Sequence, residues 1–151
     1  MIHIAHRGNI SGKNEQRENT PSYIDKAITL GYDVEIDVWY TDGKLLLGHD
    51  HGQWVIDEDF LFDRFDKLWC HAKNIAALTV LSQMSRQDLK LHYFWHESDT
   101  VTLTNKGVIW ASPGKQPINN SIAVLPELHR DLVLSDCLGI CSDDFKTVRR
   151  K

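Results

Sequence analysis

The sequence has no long apolar run, no broad excess of positive charge and few cysteines. No segment approaches the roughly 20 consecutive apolar residues that cross a bilayer, so no membrane-spanning helix is predicted. The formal net charge is −4. Because no basic field is available to hold a nucleic-acid backbone, nucleic-acid binding is not expected. The one basic cluster is the tail 149–151, which we expect to be solvated.

Signals for export are also missing. The three cysteines are an odd number that does not indicate a disulfide framework, and we expect all three to be structural. Residues 1–5 run directly into His6 and Arg7, without the charged start, apolar run and cleavage site of a signal peptide. Reduced cysteines and the lack of a signal peptide predict a cytoplasmic protein.

Size and composition favour a single globular domain. The chain has 151 residues, of which 42% are hydrophobic and 25% charged, which is ordinary for a globular protein. That length supports one domain with a core and is short for two. We therefore predict a single domain over residues 1–151.

Short apolar segments alternate with turn and helix signals along the chain. Strands are predicted at 2–5, 34–39, 44–47, 67–72, 91–95, 107–111, 121–125 and around 139–141. Helices are predicted from Thr20-Pro21 to Gly31, at 57–65 and at 74–84, with shorter helical pieces after Ser98 and Pro126. This alternation favours a parallel α/β arrangement.

The chain is short for the parallel barrel that this pattern suggests. A complete (β/α)₈ barrel usually needs about 250 residues, so helices must be shortened or dropped, mostly in the second half. The expected fold is therefore α/β, a reduced or incomplete TIM-type barrel. A barrel strand without a covering helix exposes an apolar outer face, which predicts self-association into a homo-oligomer.

Two acidic residues lie on one face of the strand at 34–39. Glu35 and Asp37 alternate with Val34, Ile36 and Val38, so the two carboxylates point to the same side, about 6.5–7 Å apart. Carboxylates inside a parallel sheet need neutralisation, which a divalent ion bound through oxygens provides. The alternative is an edge strand with a solvated acidic face.

Histidines flank this acidic pair in the sequence. If 41–43 form a three-residue hairpin loop, Tyr40 pairs with Lys44 and His49 joins the carboxylate face, whereas a two-residue loop would put His49 on the other side. His6 and Arg7 follow the first strand directly, where barrel enzymes place reactive groups. Arg7 offers a planar fork suited to a phosphate or a carboxylate.

These motifs together resemble a known family. In chain order they are His6-Arg7-Gly8, Glu18-Asn19-Thr20, Ala27 with Gly31, Glu35-Ile36-Asp37-Val38, Thr41-Asp42-Gly43 and His49-Asp50. The set is similar to the N-terminal signature of the glycerophosphodiester phosphodiesterases, which share their barrel with phosphatidylinositol-specific phospholipases C. The final segment 139–143 resembles the family's last strand.

The resemblance implies a metal-dependent phosphodiesterase acting on a small phosphodiester. It implies that His6 and His49 are the general acid/base pair and that Arg7 contacts the phosphate. It also implies that the metal is held by Glu18, Glu35 and Asp37. The expected ion is Mg²⁺ or Ca²⁺, with Mn²⁺ or Zn²⁺ as the alternative.

One family position differs in this chain. The family usually has a glutamate two residues before a lysine on its third strand, where this chain has His71 before Lys73. Lys73 is expected to contact phosphate as a point charge. His71 either ligates the metal, which favours a softer ion, or marks the loss of a ligand.

Two other functions remain open from the sequence. One is a binding module, a shortened relative that keeps a phosphate or metal pocket without useful turnover, and the short chain and His71 favour it. A sphingomyelinase-D-like phospholipase of the same superfamily is the other, although such relatives are generally secreted and disulfide-bonded. The presence of both His6 and His49 favours the enzyme.

Overall fold

A computed structural model of the protein describes residues 1–86, 90–116, 118–129 and 132–148. The basic tail 149–151 lies outside these residues. The strands of the described chain are β1 (Ile2–His6), β2 (Asp33–Thr41), β3 (Lys44–Leu47), β4 (Trp54–Ile56), β5 (Leu68–Ala72), β6 (His92–Trp95), β7 (Val101–Leu103), β8 (Ile109–Ala111), β9 (Ser121–Val124) and β10 (Gly139–Ser142). The helices are α1 (Pro21–Thr29), α2 (Glu58–Phe62), α3 (Ile75–Met84) and α4 (Phe145–Val148), with a 3₁₀ turn at Pro126–Leu128.

All ten of these strands belong to one sheet, and most of its pairings are parallel. β1 lies between β2 and β10, β2 also pairs with β5, and β5 pairs with β6. On the other side β10 pairs with β9 and β9 with β8, again in parallel. Antiparallel pairing is found where β3 folds back on the far half of β2 and β4 on β3, and where β7 folds back on β8.

The sheet is curled, so its two ends approach each other. Thr102 in β7 donates a hydrogen bond from Oγ1 to the carbonyl of Trp95 in β6 at 2.9 Å. The backbone N–H of Asn105, just beyond β7, donates to the carbonyl of Tyr93 at 3.0 Å. The protein is therefore a mixed α/β structure with a curled sheet and few helices.

Apolar side chains pack on both faces of the sheet. One cluster lies on a single face of the sheet and is contributed by six strands. Its members are Ile4, Trp69, Phe94, Trp110, Ile122, Val124 and Cys141. The other face packs against α1 and α3 through Ile24, Ala27, Ala77 and Leu81. Cys70, Cys137 and Cys141 are buried and free, consistent with structural roles.

The eight predicted strands are all found, with ends that differ by up to two residues. The turn at Pro126–Leu128 and the start of α1 at Pro21 also agree with the prediction. The helical piece predicted after Ser98 is wrong, because Val101–Leu103 pairs with β8 as a strand. β4 and α4 were not predicted, since three or four residues carry too little periodicity to be recognised.

Among the described residues, no helix has both the length and the apolar character needed to cross a membrane.

Candidate active site

The carboxyl ends of three adjacent parallel strands bring the predicted residues together. His6 ends β1 and is in register with Glu35 on β2. Asp37, two residues further along β2, is in register with His71 on β5. Lys73 directly follows β5. Side chains two residues apart on a strand share a face, so these five residues point into the same region.

Burial decides between the two interpretations of the acidic pair. Glu35 is 2% exposed and Asp37 is fully buried. β2 is a central strand, flanked by β1 and β5, so the solvated edge-strand interpretation is wrong. Buried carboxylates need cationic or hydrogen-bonding partners.

Asp37 has the most partners in the site. Its Oδ2 accepts a hydrogen bond from Asn19 Nδ2 at 3.0 Å and lies 3.0 Å from Arg7 Nε. His49 Nδ1 lies 3.3 Å from the same oxygen. On the other side, Oδ1 lies 3.2 Å from His71 Nδ1 and 3.5 Å from Lys73 Nζ. Burial raises the pKa of Asp37, but the imidazoles and the two cations outweigh it and hold that pKa well below its ordinary value.

Glu35 has weaker partners than Asp37. Its Oε2 accepts a hydrogen bond from the backbone N–H of Arg7 at 3.3 Å and lies 3.9 Å from His6 Nε2. Its Oε1 lies 3.9 Å from His71 Nδ1. Burial, followed by the charge of Asp37, raises the pKa of the Glu35 carboxyl. Without a further cation, the two neighbouring carboxylates of Glu35 and Asp37 are therefore costly to keep ionised together.

His6 is oriented by a carboxylate from the other end of the chain. Its Nδ1 lies 2.8 Å from Oδ1 of Asp143, which follows β10. Asn9 Nδ2 donates to the same oxygen at 2.8 Å. Burial lowers the pKa of His6, but the hydrogen bond to Asp143 and the charge of Glu35 outweigh it, so the pKa is raised. This arrangement fixes the ring and leaves Nε2 on the side of the carboxylate pair.

The side chain of Arg7 extends across the site, and its backbone conformation is strained. Its φ of 54° lies in the left-handed region, which is uncommon outside glycine and is often found at functional sites. Its Nη1 donates to Glu18 Oε2 at 3.1 Å, while Asn9 Nδ2 donates to Glu18 Oε1 at 2.8 Å. Both oxygens of Glu18 are therefore engaged, and Glu18 is not among the residues whose ligand atoms cluster closely enough to share an ion.

His49 reaches the site by a route that differs from the prediction. The hairpin has a two-residue turn, Asp42-Gly43, with Thr41 paired to Lys44, so the predicted three-residue loop is wrong. Continued pairing would have turned His49 away. Instead β3 ends at Leu47, and Gly48, at a φ of 152°, redirects the chain so that His49 contacts Asp37.

His71 is held in one orientation by its neighbours. Its Nε2 lies 3.3 Å from the backbone carbonyl oxygen of His96. Its ring stacks on the ring of Phe94, with centroids 5.0 Å apart, and on that of His96, with centroids 4.4 Å apart. Burial, followed by the nearby His71, lowers the pKa of His96 to about 4. His96 is therefore neutral near pH 7.

An open cleft of about 330 Å³ lies above these residues. The predicted residues that line it are His6, Arg7, Glu35, His49, His71 and Lys73. Its far wall consists of His96, Glu97, Trp110, Ser112, Pro113 and Val124. Asp37 lies beneath this surface, and Glu18 lines a neighbouring cleft of about 190 Å³ that shares Arg7 and His49.

The residues present fit a divalent cation. Single ligand atoms of Glu35, Asp37 and His71 lie within 4.8 Å of one another. Asp37 Oδ1 is buried and, among the described residues, has no hydrogen-bond partner of good geometry. This oxygen, next to a second carboxylate and an imidazole, belongs to a donor set suited to such an ion, and Lys73 Nζ at 3.5 Å is the charge that now lies beside it.

The residues that support this group of side chains were not predicted from the sequence. Asp143 belongs to the segment that resembled the family's last strand, but no role was predicted for it. Asn9 lies in a loop rich in polar residues, where nothing distinguishes it locally. Asn19 belongs to the motif Glu18-Asn19-Thr20, but no role was predicted for it. Trp110 is buried in the apolar cluster and also lines the cleft.

No family model, no curated protein and no solved structure matches the chain.

Proposed function

We propose that the protein is a metal-dependent hydrolase of a small phosphodiester, acting in the manner of the glycerophosphodiester phosphodiesterases. One observation carries the proposal: buried carboxylates, two cationic side chains and several imidazoles converge on one cleft at the carboxyl ends of β1, β2 and β5. Hydrolysis of a phosphodiester requires charge neutralisation on the phosphate and proton transfer at both the nucleophile and the leaving oxygen.

Arg7 and Lys73 meet the phosphate in this proposal. Both line the cleft and both now contact Asp37. The guanidinium of Arg7 can pair with two phosphate oxygens, whereas the ammonium of Lys73 acts as a single charge. A bound phosphodiester therefore finds two cations already in the cleft wall.

His6 and His49 act as the general acid/base pair. Asp143 holds Nδ1 of His6, so Nε2 is the atom that exchanges a proton. Asp37 holds Nδ1 of His49 in the same way, although the His49 side chain is far more exposed. Nε2 of His6 then faces the substrate. Nε2 of His49 contacts Arg7 Nη2 at 3.4 Å, so it reaches the substrate once Arg7 turns to the phosphate.

Glu35, Asp37 and His71 would hold the metal ion. When bound, a divalent ion neutralises charge on the non-bridging oxygens and polarises the phosphorus centre. Glu18 was also predicted as a ligand, but its contacts support a role in holding Arg7.

We further propose that the curled sheet is a reduced TIM-type barrel related to the phosphatidylinositol-specific phospholipases C. Its parallel strands follow one another in chain order from β1 through β2, β5 and β6, and from β8 through β9 and β10 back to β1. In such barrels the reactive groups lie at the carboxyl ends of the strands, where this cleft is found. The cytoplasmic location, the single domain and the homo-oligomer remain predictions from the sequence.

A binding module without useful turnover is the second candidate function. The observation that favours it is that Arg7 and Lys73 already neutralise Asp37, which would weaken metal binding. A phosphate or metal would then bind without being followed by hydrolysis.

The test is hydrolysis of bis(p-nitrophenyl) phosphate by the protein after chelation and readdition of single divalent ions. We expect metal-dependent turnover that falls by about 10²–10⁴-fold in His6→Ala and in His49→Ala. His51→Ala, an exposed histidine in the same loop as His49, is the matched control and should retain activity. Full activity in either site variant overturns the acid/base assignment, and metal binding without turnover supports the second candidate.

A further inference from the structure

The tautomer of His71 is set by its backbone contact. Nε2 lies 3.3 Å from the carbonyl oxygen of His96, and a carbonyl oxygen only accepts hydrogen bonds. Nε2 therefore carries a proton. In the neutral imidazole, Nδ1 is then an unprotonated nitrogen with a lone pair.

That lone pair faces two carboxylate oxygens. Nδ1 lies 3.2 Å from Asp37 Oδ1 and 3.9 Å from Glu35 Oε1. Three acceptors so close together repel one another unless a cation lies between them or the ring takes up a second proton. Asp37 Oδ1, fully buried and without a well-aligned hydrogen bond among the described residues, points to the same place.

A histidine that donates one N–H to a backbone carbonyl and presents its other nitrogen is the usual arrangement of a metal ligand. The stacking of His71 on the rings of Phe94 and His96 holds the ring plane in this position. Both supporting contacts come from β6 and its end, so the orientation of His71 does not depend on the ion.

We infer that His71 Nδ1 is a metal ligand and that, with Glu35 and Asp37, it makes this site selective for a borderline transition ion such as Mn²⁺, Co²⁺ or Zn²⁺ over Mg²⁺ and Ca²⁺. Imidazole nitrogen binds these ions well, while Mg²⁺ and Ca²⁺ prefer oxygen ligands only. The inference rests on the proposed function only in placing the ion in the same cleft, and it reverses the order of ions expected from the sequence.

The positively charged side chains of Lys73 and Arg7 both contact Asp37 and would repel a bound cation. Lys73 Nζ lies 3.5 Å from Asp37 Oδ1, the same oxygen that the ion would use, whereas Arg7 lies on Oδ2. An entering ion therefore displaces Lys73 and leaves the contact of Arg7 in place. A doubly protonated His71 that simply pairs with Asp37 is the alternative explanation of the geometry.

The experiment uses the full chain, stripped of metal and titrated with Mn²⁺. Pulsed electron paramagnetic resonance detects ¹⁴N coupling when an imidazole binds Mn²⁺, and competition with Mg²⁺ measures selectivity. The variants are His71→Glu, which supplies oxygen in place of nitrogen, and His51→Glu, a matched control on an exposed histidine. A wild-type spectrum without ¹⁴N coupling overturns the inference by itself, so that outcome does not depend on the folding of a variant. When coupling is present, His71→Glu assigns it to His71 rather than to another histidine of the cleft.

We expect one Mn²⁺ per chain with ¹⁴N coupling in the wild type and in His51→Glu. His71→Glu should bind Mn²⁺ without that coupling, with its preference for Mn²⁺ over Mg²⁺ reduced by about tenfold or more. Wild-type Mn²⁺ without ¹⁴N coupling, or coupling that persists in His71→Glu, overturns the inference while leaving the hydrolase intact. Absence of any divalent binding overturns both, and metal binding with ¹⁴N coupling but no turnover overturns only the hydrolase.

Discussion

Asp143 and His6 are 137 positions apart in the chain, yet their side chains lie 2.8 Å apart. Asp143 therefore acts as a positioning residue, because it fixes the His6 ring and favours its protonated form. We expect Asp143→Asn to lower the pKa of His6 and to reduce turnover by about 10- to 100-fold. Histidine ring signals in a proton NMR titration measure the first effect, independently of activity.

The control for this change is Asp136→Asn, which alters an exposed carboxylate upstream of β10. It should leave both the His6 titration and turnover as in the wild type. An unchanged His6 pKa in Asp143→Asn would show that the contact does not govern the histidine.

Lys73 occupies the oxygen that a metal ion would use. Because the ammonium and the ion compete for Asp37 Oδ1, ion binding should free Lys73 for the phosphate, so that metal and phosphate bind cooperatively. We expect Lys73→Met to bind Mn²⁺ about tenfold more tightly and to lose most of the enhancement of inorganic phosphate binding by the ion. Calorimetric titrations of each ligand, with and without the other, measure both effects.

Lys44→Met, at an exposed position in β3, is the control for Lys73→Met and should preserve cooperativity. Weaker Mn²⁺ binding in Lys73→Met would contradict competition and indicate that Lys73 supports the ion site.

The end of β3 illustrates how one backbone position redirects an element. A side chain at Gly48 would overlap the carbonyl oxygen of His51, and its φ of 152° is unfavourable for other residues. We expect Gly48→Ala to cost about 1–3 kcal/mol or more in the free energy of unfolding and to weaken the contact between His49 and Asp37. Urea denaturation measures the first effect and turnover the second.

Gly107→Ala separates strain from steric overlap. Gly107 also has a positive φ, 76°, but a Cβ there meets nothing within 4 Å. Gly107→Ala should lower the free energy of unfolding by only about 1 kcal/mol and leave activity unchanged. Equal losses of stability in the two variants would rule out a special role of the space around Gly48.

Predictability differed among elements for a physical reason. β2 was recognised because alternation of apolar and acidic residues over several positions is a local signal. β7 was not, because three residues become a strand only through pairing with β8 and hydrogen bonding to β6. The register of the hairpin was mispredicted because both loop lengths suit Thr41-Asp42-Gly43, and the pairing of the flanking strands selected one.

In the whole molecule, a buried histidine at the opposite end of the strands from the cleft makes stability depend on pH. His92, at the start of β6, stacks on Trp69 with ring centroids 3.8 Å apart and lies 2.7 Å from Thr104 Oγ1. Burial, followed by the charge of Lys106, lowers the pKa of His92 to about 4. His92 therefore takes up a proton near pH 6.5 in the unfolded chain but only near pH 4 in the folded chain.

This stabilisation is present above pH 6.5 and is lost as the pH falls toward 4. As the pH falls from 7 to 5, we expect the lowered pKa of His92 to decrease the free energy of unfolding by about 1–2 kcal/mol. His92→Gln should make the pH dependence shallower by that amount, as measured by urea denaturation at each pH. A slope that does not change would show that His92 titrates alike in both states.

Self-association is also a property of the whole molecule. Val101 and Leu103 on β7 are 41% and 63% exposed, which agrees with the expectation of apolar surface where helices are few. Sedimentation at high protein concentration measures it, with Leu103→Lys as the variant that should shift any dimer toward monomer. A monomer at every concentration would contradict the expectation.

Local chemistry along the chain was enough to place eight strands and three helices and to single out Glu35 and Asp37 with the flanking His6, Arg7 and His49, because periodicity and residue type act between near neighbours. Glu18, His71 and Lys73 were added by the family resemblance. The packed fold alone selected the partners of each group: Asp143 for His6, Arg7 for Glu18, and the backbone of His96 for His71. Those contacts join segments far apart in the chain, and their distances depend on how the strands of the curled sheet align. That alignment results from the packing of the whole core, which no single segment specifies.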